Sequence, residues 1–236
     1  MPELLIVTPV KDSIGTTLET IRAVHEANGD HRHLVFNDFS TAETRAILEE
    51  NQSKLDFELI HLEDLTNTPS PNYHITLQKA RQTALEMNVP LVLVESDVIV
   101  KKDTLVKLLE LSREYPNCGM VGAVTTDEQG KVNFPYLRFR HEKDALIDTS
   151  HSLSFCCTLL ATGLLKRFSF AGLSTEKDWY DVSISRKSRS LGFRNYLAMN
   201  LPVVHKPHSS RPWKLLKYTN PVKYYFNKFV RRKDRI

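Results

Sequence analysis

Short runs of mainly apolar residues alternate with helix-periodic segments through the first half of this 236-residue chain. The runs lie at 4–7, 33–36, 57–60, 91–94 and 120–124. Runs this short, without regular polar alternation, are typical of strands that are buried on both faces. Because a helical pattern separates each run from the next, the sequence predicts a mostly parallel sheet with helices on both faces, which is an α/β/α sandwich.

Capping and breaking residues predict where the helices and the later strands begin and end. Capping-box patterns at 16–19 and 40–43 predict two helix starts, and Asp103 is expected to cap a helix that ends before Pro116. The second half is less regular, with a helix expected at 176–190 and several short strands. These strands are expected at 132–134, 155–160, 193–197 and 202–205.

Composition favours a folded protein with a substantial core. Hydrophobic residues make up 41% of the chain. No stretch approaches the roughly 18 apolar residues of a transmembrane helix, and the first residues do not resemble a signal peptide. Cys118, Cys156 and Cys157 have no metal-ligand spacing, and a disulfide between the adjacent pair would be strained. We therefore expect three buried, reduced thiols and a cytoplasmic protein.

Basic residues are concentrated near the C-terminal end. Residues 211–236 carry nine basic residues and one acidic residue, a net charge of +8 that leaves −4 on the rest of the chain. Apolar residues recur there at helical spacing from Val222 onward. We expect a helical extension that either binds anionic lipid at the inner face of a membrane or packs on the acidic body. Because no nucleic-acid-reading motif accompanies these charges, a nucleic-acid partner is not expected.

Acidic residues follow the predicted strands at the points where the strands end. Asp12 follows the first strand, Asp38 the second, and Glu95-Ser96-Asp97 the fourth. Open α/β sheets bind ligands at the carboxyl ends of their strands, and carboxylate oxygens are the ligands that hard divalent cations prefer. On an extended chain Glu95 and Asp97 would point to the same side. The sequence thus predicts a cation and ligand site at this edge, while each acid alone also fits a helix cap.

Five segments, in this order and spacing, resemble the family 2 glycosyltransferases of GT-A fold. They are 6–10 (Ile-Val-Thr-Pro-Val), 35–41 (Val-Phe-Asn-Asp-Phe-Ser-Thr), 92–98 (Val-Leu-Val-Glu-Ser-Asp-Val), 180–186 together with 191–193, and 203–210. Four residues depart from the family's pattern. Asn37 replaces an Asp, Phe39 a Gly, Glu95 the first Asp of the Asp-x-Asp metal motif, and Tyr180 a Glu.

The resemblance implies an inverting transfer of a sugar from a nucleoside diphosphate sugar, with a UDP-sugar expected, to an acceptor hydroxyl. Asp181 would be the general base, with Asp178 as the alternative. Asp97 and His205 would hold Mn²⁺ or Mg²⁺, and His208 is a second candidate for metal contact. The donor-binding residues that the resemblance implies are Pro9, Val10, Asp12, Asp38, Glu95, Ser96 and Asp97.

The same resemblance implies a glycosyltransferase domain over residues 1–210, with the tail at 211–236 outside it. Residues 1–125 would bind the nucleotide sugar, and residues 126–210 would bind the acceptor. A glycan or lipid-linked acceptor is expected, in the synthesis of a bacterial-type surface polysaccharide or glycolipid. Two other classes stay open. A nucleotidyltransferase would need a glycine-rich and basic loop after the first strand, and the family departures favour a non-catalytic scaffold.

Five further side chains each allow two interpretations. Lys79 and Arg81 either meet phosphate or lie on a solvated helix face. Arg138 and Arg140 either contact an anionic acceptor or belong to an edge strand, and Trp179 either stacks on a sugar ring or packs in the core.

Overall fold

The computed structural model describes residues 2–175 and 179–206. These residues form nine strands and six α-helices. The strands are β1 (Leu4–Val10), β2 (His31–Asn37), β3 (Glu58–His61), β4 (Leu91–Val94), β5 (Val98–Ile99), β6 (Cys118–Thr126), β7 (Leu146–Asp148), β8 (Cys157–Leu160) and β9 (Arg194–His205). The helices are α1 (Ile14–His25), α2 (Ala42–Asn51), α3 (Tyr73–Met87), α4 (Thr104–Glu114), α5 (Thr162–Arg167) and α6 (Tyr180–Ser190). Asp178, His208 and the predicted extension at 211–236 lie outside the described residues.

The nine strands of the described residues form one sheet in the order β3-β2-β1-β4-β8-β6-β9-β5, with β7 also paired to β9. β1 is parallel to β2 and β4, and β2 is parallel to β3. β8 is inserted antiparallel between β4 and β6, and β6 is parallel to β9. The short strands β5 and β7 are antiparallel to β9. The predicted mostly parallel sheet is therefore confirmed.

Alternate residues of β4 show why its sequence is uniformly apolar. Leu91 and Leu93 pack in the core cluster that includes Leu77 of α3. Val92 and Val94 pack in a second cluster, on the other face of the sheet, that includes Leu105 of α4. Successive side chains of a strand point to opposite faces, so a strand covered by helices on both sides needs apolar residues at every position. The predicted α/β/α sandwich is confirmed by this layering.

The long strand β9 corrects the prediction of two separate strands at 193–197 and 202–205. Its ladder with β6 runs to Ala198, shifts register, and resumes at Val203. Pro202 lies within this irregularity, where its missing N–H breaks no ladder hydrogen bond. The strand therefore continues to His205, which it carries to the edge of the sheet beside β5.

Two local predictions are wrong for identifiable reasons. The capping box at 16–19 lies inside α1, which already begins at Ile14 because Ser13, at φ 54°, turns the chain directly into the helix. The strand predicted around Val132 is reduced to one isolated bridge with Thr126.

The cysteine prediction is confirmed, since all three are buried and none forms a disulfide. No helix within the described ranges has the length and apolar character needed to cross a bilayer.

Candidate active site

The segment after β4 is a tight turn rather than an extended chain. The Val98 N–H donates to the Glu95 carbonyl at 3.1 Å, which closes a β-turn over 95–98. The prediction that Glu95 and Asp97 project from one side of an extended chain is therefore wrong. Each of the two carboxylates instead lies near His205, more than a hundred residues later in the chain.

His205 is held beside Asp97 by the pairing of β5 with the end of β9. Val98 lies opposite His205 in this antiparallel pair, and the Lys206 N–H donates to the Asp97 carbonyl at 2.8 Å. The His205 Nε2 atom lies 3.4 Å from Asp97 Oδ2. Both residues are almost fully buried, at 1% and 3% exposure. On the other side of the ring, Nδ1 lies 2.7 Å from the Phe134 carbonyl oxygen.

This geometry defines what the His205 imidazole can bind. A carbonyl oxygen only accepts, so Nδ1 carries the hydrogen and donates to Phe134. In the neutral ring the Nε2 lone pair then faces the Asp97 carboxylate, which places two acceptors 3.4 Å apart. A proton on Nε2 or a cation between the two groups compensates for their repulsion. A backbone carbonyl that fixes the far nitrogen is also the usual support of a metal-binding histidine.

Cys156 joins this cluster, although its sequence spacing gave no indication of a metal ligand. The ligand atoms of Glu95, Cys156 and His205 all lie within 4.8 Å of one another. The Cys156 thiol donates to Glu95 Oε2 at 3.5 Å, and the Glu95 N–H donates to the Cys156 carbonyl at 3.0 Å. Because Val94 pairs with Cys157 in the β4–β8 ladder, the next pair along places Glu95 opposite Cys156. The sequence carries no local signal for this non-local pairing.

Asp181 lies in the first turn of α6 and interacts electrostatically with Tyr73, as Glu95 and Cys156 do. Its Oδ1 atom accepts from the Val182 N–H at 2.9 Å. The Tyr73 hydroxyl is buried and has no hydrogen-bond partner among the described residues. Burial raises the pKa of Tyr73 well above its usual value, and the charges of Glu95, Asp181 and Cys156 raise it further. The same buried hydroxyl is therefore within electrostatic range of the candidate base and of two residues of the metal cluster.

Asp38 organises the loop that leads into α3. Its Oδ2 atom accepts from Ser70 Oγ at 2.7 Å and from the Asn72 N–H at 2.8 Å. Its Oδ1 atom accepts from Asn72 Nδ2 at 2.9 Å, and the same amide group donates to the Thr68 carbonyl. Three hydrogen bonds to one carboxylate that is only 9% exposed fix this loop at the edge of the sheet.

The Asn37 departure from the family's pattern has a local explanation. Asn37 is fully buried, and its Nδ2 donates to His61 Nδ1 at 3.0 Å. An aspartate there would bury a charge beside an imidazole nitrogen and would donate no hydrogen bond to it. The Asn37 Oδ1 atom is buried without a partner among the described residues.

The other predicted donor-binding residues lie around the end of β1. Asp12 is exposed enough to reach a ligand, and its Oδ1 accepts from the Thr41 N–H at 2.8 Å. Val10 is 1% exposed and its carbonyl accepts from the Asp38 N–H, so its side chain contributes to the core. Pro9 is half-buried in β1, and Ser96 is 9% exposed in the turn after β4.

Among the basic and aromatic candidates of the sequence, Arg81 has a structural contact. The Arg81 Nε donates to the Leu165 carbonyl at 2.9 Å and thereby ties α3 to α5, while Lys79 is exposed. Arg138 lies in a 3₁₀ helix, Leu137–Phe139, so the edge-strand interpretation is wrong. Trp179 is half-buried directly before α6.

Comparisons with known proteins establish the family and the fold. The profile of the family described as Glycosyl transferase family 2 matches residues 5–168. No curated protein sequence matches the chain. The fold is similar to a mannosyltransferase, PcManGT from Pyrobaculum calidifontis, solved with GDP-Man and Mn²⁺, at TM-score 0.65 and 17% identity over 98% of this chain and 64% of that one.

The fold is also similar to S. aureus TarS 1-349 solved in complex with UDP-GlcNAc, at TM-score 0.67 and 18% identity. This match covers 89% of the present chain and 60% of the TarS chain. The chain thus spans about three fifths of the length of the solved structures that it matches. At these identities the likeness establishes the GT-A fold, and the chemistry is argued from the site itself.

Proposed function

The chain belongs to glycosyl transferase family 2, and we propose that it transfers a sugar from a nucleoside diphosphate sugar to an acceptor hydroxyl, with inversion, in a reaction that requires a divalent ion. The observation that carries the proposal is the buried pair of Asp97 and His205 at the carboxyl end of the sheet, where His205 also lies within 4.8 Å of Glu95. Ligands of open α/β sheets bind at this edge. The related solved structures hold GDP-Man with Mn²⁺ and UDP-GlcNAc, which supports this class of donor.

The donor set of the cluster fits a divalent ion. Asp97 supplies carboxylate oxygens and His205 supplies an imidazole nitrogen whose far side is fixed on a backbone carbonyl. These two residues would hold Mn²⁺ or Mg²⁺, with Glu95 next to them. When bound, the ion neutralises the charge that builds on the diphosphate leaving group.

The donor and the acceptor are assigned to different halves of the domain, 1–125 and 126–210. The nucleoside lies between Asp12 and the loop that Asp38 fixes, and Pro9 and Ser96 line the path toward the diphosphate. Val10 supports the end of β1 from the core and does not contact the donor through its side chain. A UDP-sugar is the expected donor. Glu95 of the first half then lies beside Cys156 of the second half, in the segment before β8.

Asp181 acts as the general base toward the acceptor hydroxyl. It is half-buried at the start of α6, where the partial positive charge of the helix end stabilises its carboxylate form. A carboxylate held there can accept the acceptor proton as the hydroxyl attacks the anomeric carbon. The acceptor that we propose is a glycan or lipid-linked hydroxyl, in surface polysaccharide or glycolipid synthesis. The +8 tail at 211–236 is assigned to the anionic inner face of a membrane.

The test is release of nucleoside diphosphate from a panel of UDP- and GDP-sugars with Mn²⁺ and candidate glycan acceptors. We expect one donor to be used, and Asp97→Asn to lower turnover by about 100-fold or more. Asp103→Asn is the matched control, because Asp103 is an exposed carboxylate at the start of α4 whose Oδ1 accepts from Asn28. NMR of the product reports whether the anomeric configuration inverts. Equal turnover by Asp97→Asn and wild type would contradict the proposed role of the ion.

A further inference from the structure

The cluster at the sheet edge contains a sulfur atom in addition to its oxygen and nitrogen donors. The Cys156 Sγ atom lies 3.5 Å from Glu95 Oε2. It also lies, with that carboxylate and a His205 ring nitrogen, in a group whose ligand atoms are all within 4.8 Å of one another. Three donors of three chemical types at this mutual distance can contact one ion with small side-chain adjustments. Neither the family resemblance nor the spacing of the cysteines predicts the thiol.

The three donors are held by different parts of one sheet. Glu95 follows β4, Cys156 precedes β8, and His205 ends β9. The β4–β8 ladder and the Glu95 N–H bond to the Cys156 carbonyl fix the first pair. The third donor, His205, is fixed by its own hydrogen bond to Phe134 and by that of the next residue, Lys206, to Asp97. Donors that paired strands position in this way are pre-organised, which lowers the cost of ion binding.

The residues around Cys156 also fix the direction of its thiol. Ser154 Oγ lies 3.3 Å from Cys156 Sγ. The Ser154 N–H donates at 2.9 Å to the hydroxyl of Tyr136, a fully buried residue that packs beneath this segment. The whole Cys156 residue is only 1% exposed, so bulk solvent does not compete for its sulfur atom.

We propose that Cys156 is a ligand of the metal centre, so that the site has mixed oxygen, nitrogen and sulfur donors and selects a thiolate-accepting ion of the Zn²⁺ or Co²⁺ class over Mg²⁺. Thiolate and imidazole donors suit Zn²⁺ and Co²⁺, whereas Mg²⁺ requires oxygen ligands in near-octahedral geometry. Asp97 Oδ2 lies 3.4 Å from His205 Nε2 and offers a further carboxylate beside that histidine. The inference deepens the proposed function, because it concerns the ion of the same site.

The test is a titration of the full chain with Co²⁺ alone, followed by absorption spectroscopy. A Co²⁺–thiolate bond gives a sulfur-to-metal charge-transfer band in the near ultraviolet, while visible d–d bands report binding through any ligand. We expect both sets of bands in wild type, and in Cys156→Ser the d–d bands without the charge-transfer band. We also expect the substitution to weaken Zn²⁺ and Co²⁺ binding by about tenfold or more, with little change for Mg²⁺.

Cys118→Ser is the matched control. Cys118 is a buried thiol at the start of β6, outside the donor group that Glu95, Cys156 and His205 form. This variant should keep the complete wild-type Co²⁺ spectrum. Circular dichroism verifies that both variants are folded, and the wild-type spectrum tests the proposal without any substitution.

Two outcomes overturn the inference. They are a wild-type Co²⁺ complex with d–d bands and no charge-transfer band, or a charge-transfer band that persists in Cys156→Ser. Calorimetry with UDP and GDP separates this failure from failure of the proposed function. Nucleotide binding that still requires Asp97 and a divalent ion leaves the transferase standing without sulfur ligation. If the wild type shows neither Co²⁺ bands nor metal-dependent nucleotide binding, both proposals are contradicted.

Discussion

His33 makes the stability of this fold strongly dependent on pH. The residue lies in β2 and is 3% exposed, with its Nε2 atom 2.9 Å from Thr8 Oγ1 and its ring packed against Phe57. Burial lowers the pKa of His33 from 6.5 to about 3, and the nearby positive charges of His31 and His25 add to this effect. The native protein therefore keeps this imidazole neutral under conditions in which the unfolded chain protonates it.

The direction and size of the effect follow from proton linkage. Below pH 6.5 the unfolded state binds a proton at His33 that the native state takes up only near pH 3, so the stability contribution is complete at neutral pH and falls as the pH falls. At about 1.4 kcal/mol per pKa unit, the gap corresponds to about 5 kcal/mol. About 3 kcal/mol of this is lost between pH 7 and pH 4.

Urea unfolding followed by circular dichroism, at several values between pH 7 and pH 4, measures this loss. His33→Leu removes the titrating group, so the free energy of unfolding of the variant should fall by about 3 kcal/mol less than that of wild type over this range. The loss of the His33–Thr8 hydrogen bond lowers the free energy of unfolding of the variant equally at every pH. It therefore does not alter the dependence of that free energy on pH. His141→Leu, at an exposed histidine, should keep the wild-type slope. Parallel profiles for wild type and His33→Leu would refute the reasoning.

Four further substitutions, one of them a control, test the site and the residues around it. Asp181→Asn should lower kcat by about 10²–10⁴-fold while UDP or GDP affinity, measured by calorimetry, stays unchanged, because a base acts on the acceptor and not on the nucleotide. Asp38→Ala should lower the free energy of unfolding, measured in urea titrations, by roughly 3 kcal/mol, because it leaves buried donors of the 68–72 loop unpaired. The control Asp12→Ala loses one more exposed hydrogen bond and should lower that free energy by about 1 kcal/mol or less. Tyr73→Phe should keep or raise that free energy, by up to about 1 kcal/mol, because the buried hydroxyl has no partner among the described residues. A clear loss of stability in Tyr73→Phe would contradict this assignment.

The parts of the fold that local patterns determine were predictable from the sequence. The apolar run at 91–94 is uniformly apolar because helices cover both faces of β4, so its pattern alone indicates a central strand. The acids at Asp12, Asp38 and Asp97 likewise follow from the strand ends, which is where a parallel sheet presents its ligand-binding edge. The resemblance to the glycosyltransferase family added the expectation that His205 lies near the metal ion that Asp97 would hold.

The parts that depend on non-local pairing were not predictable. Cys156 meets Glu95 only because β8 is inserted antiparallel beside β4, and no residue near either position encodes that neighbour. The turn over 95–98 replaces the extended chain because β5 must reverse to pair with β9. Pro202 suggests a strand end, whereas the register shift beside it lets β9 continue.

The most direct test of the account is calorimetry of UDP, GDP and CMP binding, each with and without Mn²⁺, to wild type, Asp97→Ala and the exposed control Asp103→Ala. We expect one nucleoside diphosphate to bind only when the ion is present. Asp97→Ala should abolish this binding, and Asp103→Ala should leave it unchanged. Absence of nucleotide binding in the folded wild type, or equal binding by Asp97→Ala, would contradict the account.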